Sequence, residues 1–163
     1  MASSSKGVPE NSSPVIPRLF CADPDRAVDY YVEVLGAEDI GRRPGPDGHT
    51  SHALLLLSGG MIMVEAEWPG VPSRAPSPDG RSSVVVFAYV SDVDAIVTRA
   101  RARGARILLE PADQFWGDRT AWIADPFGHV WTIASRVEET TEGQRQERWS
   151  NIVSKQKQFG NES

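Results

Sequence analysis

The chain copies itself. Shifted by 68 residues, Ala27 meets Ala95, Gly36-Ala37 meets Gly104-Ala105, Ala53 meets Ala121, Gly60 meets Gly128 and Ala66 meets Ala134. Six scattered identities would mean little, but these fall on matching structural punctuation. Self-similarity at a fixed offset marks two copies of one supersecondary unit, neither of which buries its apolar face alone. That restricts the chain to a two-module architecture before any residue is given a role.

Each half opens on an apolar run of strand type, "VIPRLFCA" at 15–22 and "SVVVFAYV" at 83–90. A helix follows each run. In the first half Asp23 is a natural N-cap with Pro24 at the first helical position, and Gly36 stops the helix. Ala27, Val28, Tyr31, Val34 and Leu35 recur at helical spacing and form its buried stripe. In the second half Ser91 or Asp92 caps, Val93, Ile96, Val97 and Ala100 face inward, and Gly104 ends the helix. Three short strand signals come next in each half: "AEDIGRR", "HALLLL" and "MIMVEAE", then "ARILLE", "RTAWIA" and "HVWTIA". The "DPFG" stretch supplies the Pro and Gly of a tight turn, and the Pro-rich "PGVPSRAPSPDGRS" can be neither strand nor helix. The expected fold is α+β: two tandem βαβββ modules, module one at 15–67, a linker at 68–82 and module two at 83–137.

At 163 residues the chain suits one domain with a real core. Its 40% hydrophobic and 24% charged residues fit a soluble globular protein. A net charge of −5 argues against nucleic acid or an anionic membrane as partner, since both reward a basic face. Arg99, Arg101, Arg103 and Arg106 form the one basic cluster, and their spacing reads as a solvated helix face. Cys21 is alone, which excludes a disulfide framework or Cys-based metal knuckle and fits a reducing compartment. Residues 1–14 hold no apolar core of signal-peptide length and read as disordered. No segment reaches the roughly 18 apolar residues of a membrane span, so the expectation is a cytoplasmic protein. The tail, 138–163, is polar but carries Trp149, Ile152 and Val153 at helical spacing, which predicts an amphipathic helix over about 144–157.

The motifs "VSDVDAIVTRARARGA", "GHTSHALLLLSGG" and "DQFWGDRTAWIADPFGHVWTIA", set on a paired βαβββ frame, resemble the vicinal oxygen chelate superfamily. That group holds glyoxalases, extradiol dioxygenases and bleomycin-resistance proteins, and the likeness is to its PhnB-like, glyoxalase-type branch. It covers roughly residues 15 to 139. The resemblance implies sheets curled around a cup-shaped cavity, with metal ligands reaching in from the first and last strands of each module. Projected onto this sequence, those positions fall at Pro17, Val64, Val85 and Thr132. None is His, Asp, Glu or Cys, and a divalent cation needs about three such donors at one point. The expectation is therefore no bound metal and no cofactor. His49, His52 and His129 are the three histidines, and none pairs with a neighbour at ligand spacing. His49 reads as solvated and His129 as hydrogen-bonded within its own hairpin.

With Val85 and Thr132 turned into the cup, strand alternation adds Phe87, Tyr89 and Val130. The superfamily register implies His52, Leu54, Thr120 and Trp122 on the same side, with Leu19 and Ile62. Trp131, Ile133, Met61 and Met63 then pack beneath the helices, and Glu65 and Glu67 point away from the cup. The expected ligand-binding set is Leu54, Val64, Val85, Phe87, Trp116, Arg119, Trp122 and Thr132, with His52 the candidate acid–base group. Around Trp116, the Gly117-Asp118-Arg119 turn is either a surface Asp–Arg pair of little energetic weight or a lid that stacks on a planar ligand. These readings predict metal-independent binding of a small apolar or aromatic molecule, by sequestration or by metal-free catalysis through His52. The competing reading is a lyase or dioxygenase that holds its metal with non-standard ligands. A homodimer is expected, because superfamily members pair and the Trp149 stripe is apolar for a free tail.

Overall fold

The computed structural model describes residues 7–77 and 82–160. The first six residues of the segment expected to be disordered lie outside the described residues. From Gly7 the chain runs through turns to Ser13, whose hydroxyl accepts the Met61 N–H at 3.0 Å.

Module one comprises β1 (Arg18–Phe20), α1 (Pro24–Tyr30) continued by a single π turn (Tyr31–Leu35), β2 (Glu38–Pro44), β3 (Thr50–Leu57) and β4 (Gly60–Glu65). Module two repeats the order with β5 (Val85–Tyr89), α2 (Val93–Ala102), β6 (Arg106–Asp113), β7 (Asp118–Ala124) and β8 (Val130–Arg136). The tail forms α3 (Glu142–Gly160). Strand order is β1-β4-β3-β2 in one sheet and β5-β8-β7-β6 in the other. In each, the first strand runs parallel to the last and the other neighbours are antiparallel. The duplicated βαβββ unit is therefore the fold, and neither sheet closes on itself.

Local chemistry sets the helix ends. The Asp23 side chain accepts the Arg26 N–H at 3.1 Å, and Asp92, not Ser91, accepts the Ala95 N–H at 3.0 Å. Each satisfies a first-turn donor that has no partner within its helix. Gly36 turns out of the π turn at φ 73°, a left-handed conformation that a side chain disfavours.

Each sheet buries one face against its helix, and the modules meet on that buried side. Arg99 is exposed on its helix face, as read, and also donates to the Val34 carbonyl of module one at 3.1 Å. The deeper joint is polar. Asp125, from the "DPFG" turn, accepts the Phe127 and His129 N–H groups on Oδ1, and Tyr31 Oη–H at 2.7 Å and Trp131 Nε1–H at 2.9 Å on Oδ2. Four donors replace the water that this buried carboxylate loses. The His129 ring does not stay within its hairpin: its Nε2 donates to the Phe20 carbonyl at 3.0 Å. The turn thus docks module two onto module one.

Candidate functional site

Strand pairing fixes the faces. On β3 and β4, His52 lies opposite Glu65, Leu54 opposite Met63 and Leu56 opposite Met61, while Ala53 meets Val64 and Leu55 meets Ile62. On β1, Leu19 meets Val64 and Phe20 meets Glu65. Side chains alternate along a strand, so Arg18, Phe20, His52, Leu54, Met63 and Glu65 share the open face. Leu19, Ala53, Leu55, Ile62 and Val64 are buried on the other. This corrects part of the expected cup: Val64 is core beneath α1, as are Leu19 and Ile62, whereas Met61, Met63 and Glu65 turn outward. On β1 the shift is already present, since Arg18 beside Met63 corresponds to Phe87 beside Thr132 at an offset of 69; on β4 the cause is one residue. Ala53 and Ala121 match at an offset of 68, but their partners Val64 and Ile133 match at 69, because the second module's final turn is longer. A slip of one residue sends every side chain beyond it to the opposite face.

In module two the register holds as read. Phe87 lies opposite Thr132, Thr132 opposite Trp122, and Thr120 opposite Ala134, so Val85, Phe87, Tyr89, Thr120, Trp122 and Thr132 share the open face. Trp131 and Ile133 are fully buried behind it. A cavity of about 360 Å³ sits on this face, lined among others by Phe87, Leu109, Trp116, Thr120, Trp122 and Thr132. At its rim the Trp116 indole N–H donates to Asp118 Oδ2 at 2.8 Å, and the Tyr89 hydroxyl donates to the same oxygen at 2.9 Å. Arg136 Nε lies 2.9 Å from Oδ1 as an ion pair rather than a directed hydrogen bond. Asp118 is thus a buried clamp on the Trp116 ring, not half of a surface pair.

Arg119 does not reach this cavity. Alternation sends it to the helix side, where it binds Asp94 of α2 through two nitrogens, at 2.6 and 2.9 Å, and Asp113 at 2.9 Å. The chain therefore gathers Phe87, Trp116, Trp122 and Thr132 around one cavity and leaves His52 and Leu54 on the open face of the other module. Sequence reading missed Leu109 and the polar row around His52. The first lies on a strand whose pairing shifts between Ile107 and Leu109. The second was hidden by the slip beyond β3.

A wider groove of about 830 Å³ lies between the start of α1 and the β2–β3 loop, near Asp25, Asp47, His49 and Trp68. Its polar groups already serve the fold. Asp25 accepts the Thr50 N–H at 3.1 Å and the Thr50 hydroxyl, which hold its carboxyl below the usual carboxylate range. His49 Nδ1 lies 3.4 Å from the same carboxylate, with the ring largely in solvent. Size alone does not make this groove the better candidate.

The superfamily's metal positions can now be placed by pairing. Val85 and Thr132 in module two correspond, at the offset of 69, to Ile16 and Met63 rather than to Pro17 and Val64. Two aliphatic groups, a thioether and a hydroxyl do not fit a divalent cation. Among the described residues, no three His, Cys, Asp or Glu side chains converge as a metal site.

A duplicated βαβββ frame with two open-faced sheets defines a class, and the sequence agrees with it. The model of the Glyoxalase/Bleomycin resistance protein/Dioxygenase superfamily matches residues 15–133, and the chain belongs to this superfamily. An uncharacterized protein of Mycobacterium tuberculosis is 40% identical over 126 residues, 76% of this chain and 74% of that one. The crystal structure of TioX from Micromonospora sp. ML1 superimposes with a TM-score of 0.61 at 35% identity, covering 77% of this chain and 100% of that chain. The fold also matches the PhnB protein of Bacillus cereus, described as a putative 3-demethylubiquinone-9 3-methyltransferase. There the TM-score is 0.59 at 14% identity over 76% of this chain and 99% of that one. Among the described residues no helix is long and apolar enough to cross a membrane.

Proposed function

We propose that the protein binds a small apolar or aromatic molecule without a metal, on the open face of module two, and that a second copy of the chain covers that face in a homodimer. The observation that carries this is the aromatic cavity itself. Phe87, Trp116 and Trp122 surround Thr132, and the face is bare: Phe87 is 49% and Leu109 57% exposed. Contiguous apolar surface around a concavity is a ligand or partner site far more often than idle surface. The donor set at Ile16, Met63, Val85 and Thr132 supports metal independence, and the lone buried Cys21 suits a cytoplasmic setting. The polar clamp through Asp118 pre-orders Trp116, which lowers the entropy lost when a flat ligand stacks on it.

The test pairs titration with metal analysis. Naphthalene, a neutral planar probe, should quench the tryptophan fluorescence of the purified protein, and Trp122→Ala should weaken that binding by about tenfold. Binding should survive chelator. One equivalent of copurified zinc, iron or manganese whose removal abolishes binding would reject metal independence.

A further inference from the structure

The open face of module one carries a polar row on an otherwise apolar surface. Reading across the sheet at one register position, Arg43 of β2 lies opposite His52 of β3, His52 opposite Glu65 of β4, and Glu65 opposite Phe20 of β1. His52 Nδ1 is 2.9 Å from Glu65 Oε1. Arg18 approaches the same oxygen from β1, with NH2 at 3.1 Å and Nε at 3.2 Å, and its guanidinium carbon lies 5.6 Å from the centre of the Phe20 ring. The Glu65 side chain is only 7% exposed, against 30% for His52 and 56% for Arg18.

Each member has a definable task. A carboxylate only accepts, so Nδ1 of neutral His52 carries the proton and Nε2 presents its lone pair outward. Burial would make the Glu65 charge costly, and Arg18 compensates it. Among the described residues neither Nε2 nor the exposed Arg43 guanidinium has a partner. The charged groups that face His52 are Glu65, Arg43 and, across Glu65, Arg18. Glu67, just beyond β4, is occupied by the Ala75 N–H at 2.7 Å. The local balance is one positive charge in a chain of net charge −5.

We propose that this row binds an acidic hydroxyl of phenol class as its anion. The phenolic O–H bond breaks, its proton forms an N–H bond at His52 Nε2, and the electron pair stays on oxygen, paired with Arg43. Nothing is oxidised or reduced. Glu65 and Arg18 are positioning residues that hold the imidazole ring and its tautomer. The inference rests on the proposed homodimer, in which module one of one copy covers the module-two cavity of the other, and it names the group on the ligand which module one recognises.

The experiment uses the full chain with para-nitrophenol and with para-nitroanisole, which has the same shape but no ionisable proton. At pH about 7, where an ordinary imidazole is mostly neutral, binding should enlarge the phenolate absorption band. The apparent pKa of the bound phenol should fall by about one unit, the equivalent of tenfold tighter binding of the anion. Arg43→Gln, at an exposed position, should abolish that fall and leave para-nitroanisole affinity unchanged. His52→Gln should release to the buffer the proton that the native protein retains, read from the buffer dependence of the binding enthalpy. Glu65→Gln should give a partial loss that Glu65→Asp restores in part. If para-nitroanisole binds and quenches tryptophan fluorescence while para-nitrophenol stays protonated, this inference falls and the proposed ligand site stands. A pKa fall that persists in both Arg43→Gln and His52→Gln also overturns it. If neither probe binds, both readings fall together.

Discussion

Two tryptophans nine positions apart should separate ligand binding from stability at the scale of single residues. Trp122 lies on the open face beside Thr132, whereas Trp131 is fully buried and donates to Asp125. Trp131→Ala should cost about 3–5 kcal/mol through the cavity it leaves, read from chemical denaturation. Trp122→Ala should leave the melting temperature within a few degrees while ligand affinity falls. The reverse pattern would mean that the faces of β7 and β8 are inverted. Asp125 predicts a larger disturbance than its size suggests. Asp125→Ala leaves the Tyr31 hydroxyl and the Trp131 indole N–H without their acceptor, and each buried unpaired donor costs about 1–3 kcal/mol. Cys21 lies in the same joint, its thiol pushed well up by burial and then by the neighbouring Asp125 charge. A thiol reagent should therefore modify Cys21 at the rate of global unfolding. Rapid labelling of the native protein would show that the modules separate on their own.

At the scale of elements, the tail is more than an amphipathic segment awaiting a partner. Trp149 of α3 packs on Phe115 with ring centres 5.3 Å apart, and Arg148 both donates to the Phe115 carbonyl and pairs with Glu138. The helix thus braces the turn that carries Trp116. Gly117 makes the arrangement possible: at φ 95° it accepts the Val137 and Glu138 N–H groups, and a Cβ there would come within 2.2 Å of the Glu138 carbonyl. Gly117→Ala should destabilise by about 1–3 kcal/mol, the usual strain of such a backbone position. It should also loosen α3, which hydrogen exchange would detect as faster exchange in 142–155; unchanged protection there would refute the brace. A second tie joins α1 to β3 through Asp25 and Thr50. The Asp25 carboxyl is held down in the folded state, chiefly by the Thr50 hydroxyl and then by its amide. Its stabilisation is present above the unfolded carboxylate range and is lost as pH falls through the lower folded value. Asp25→Asn should flatten the acid limb of the melting profile, modestly because the group is partly solvated; an unaltered limb would show that the tie carries no stability.

At the scale of the whole molecule, the modules join back to back, through Asp125, His129, Arg99 and Val34, and the open faces of both sheets point away from that joint. A homodimer that covers those faces should sediment as one species at micromolar concentration, and a monomer there would reject it. The pattern of what was legible follows from the physics of each level. Periodicity, caps and turn residues are local, so the sequence by itself determined two βαβββ modules, the capping by Asp23, the stop at Gly36, and the buried role of Trp131. In module two the register implied by the family resemblance also placed Phe87, Trp122 and Thr132 on one face, and alternation along each strand supplied only their neighbours. The tertiary structure decided the rest. A single added residue in the β7–β8 turn breaks the equal spacing of the repeat, and only strand pairing shows that Val64 turns inward while Glu65 faces His52. Arg119 turned to Asp94 and His129 to Phe20 for a related reason: the partners that claim them are 25 and 109 residues away, beyond the reach of any local pattern.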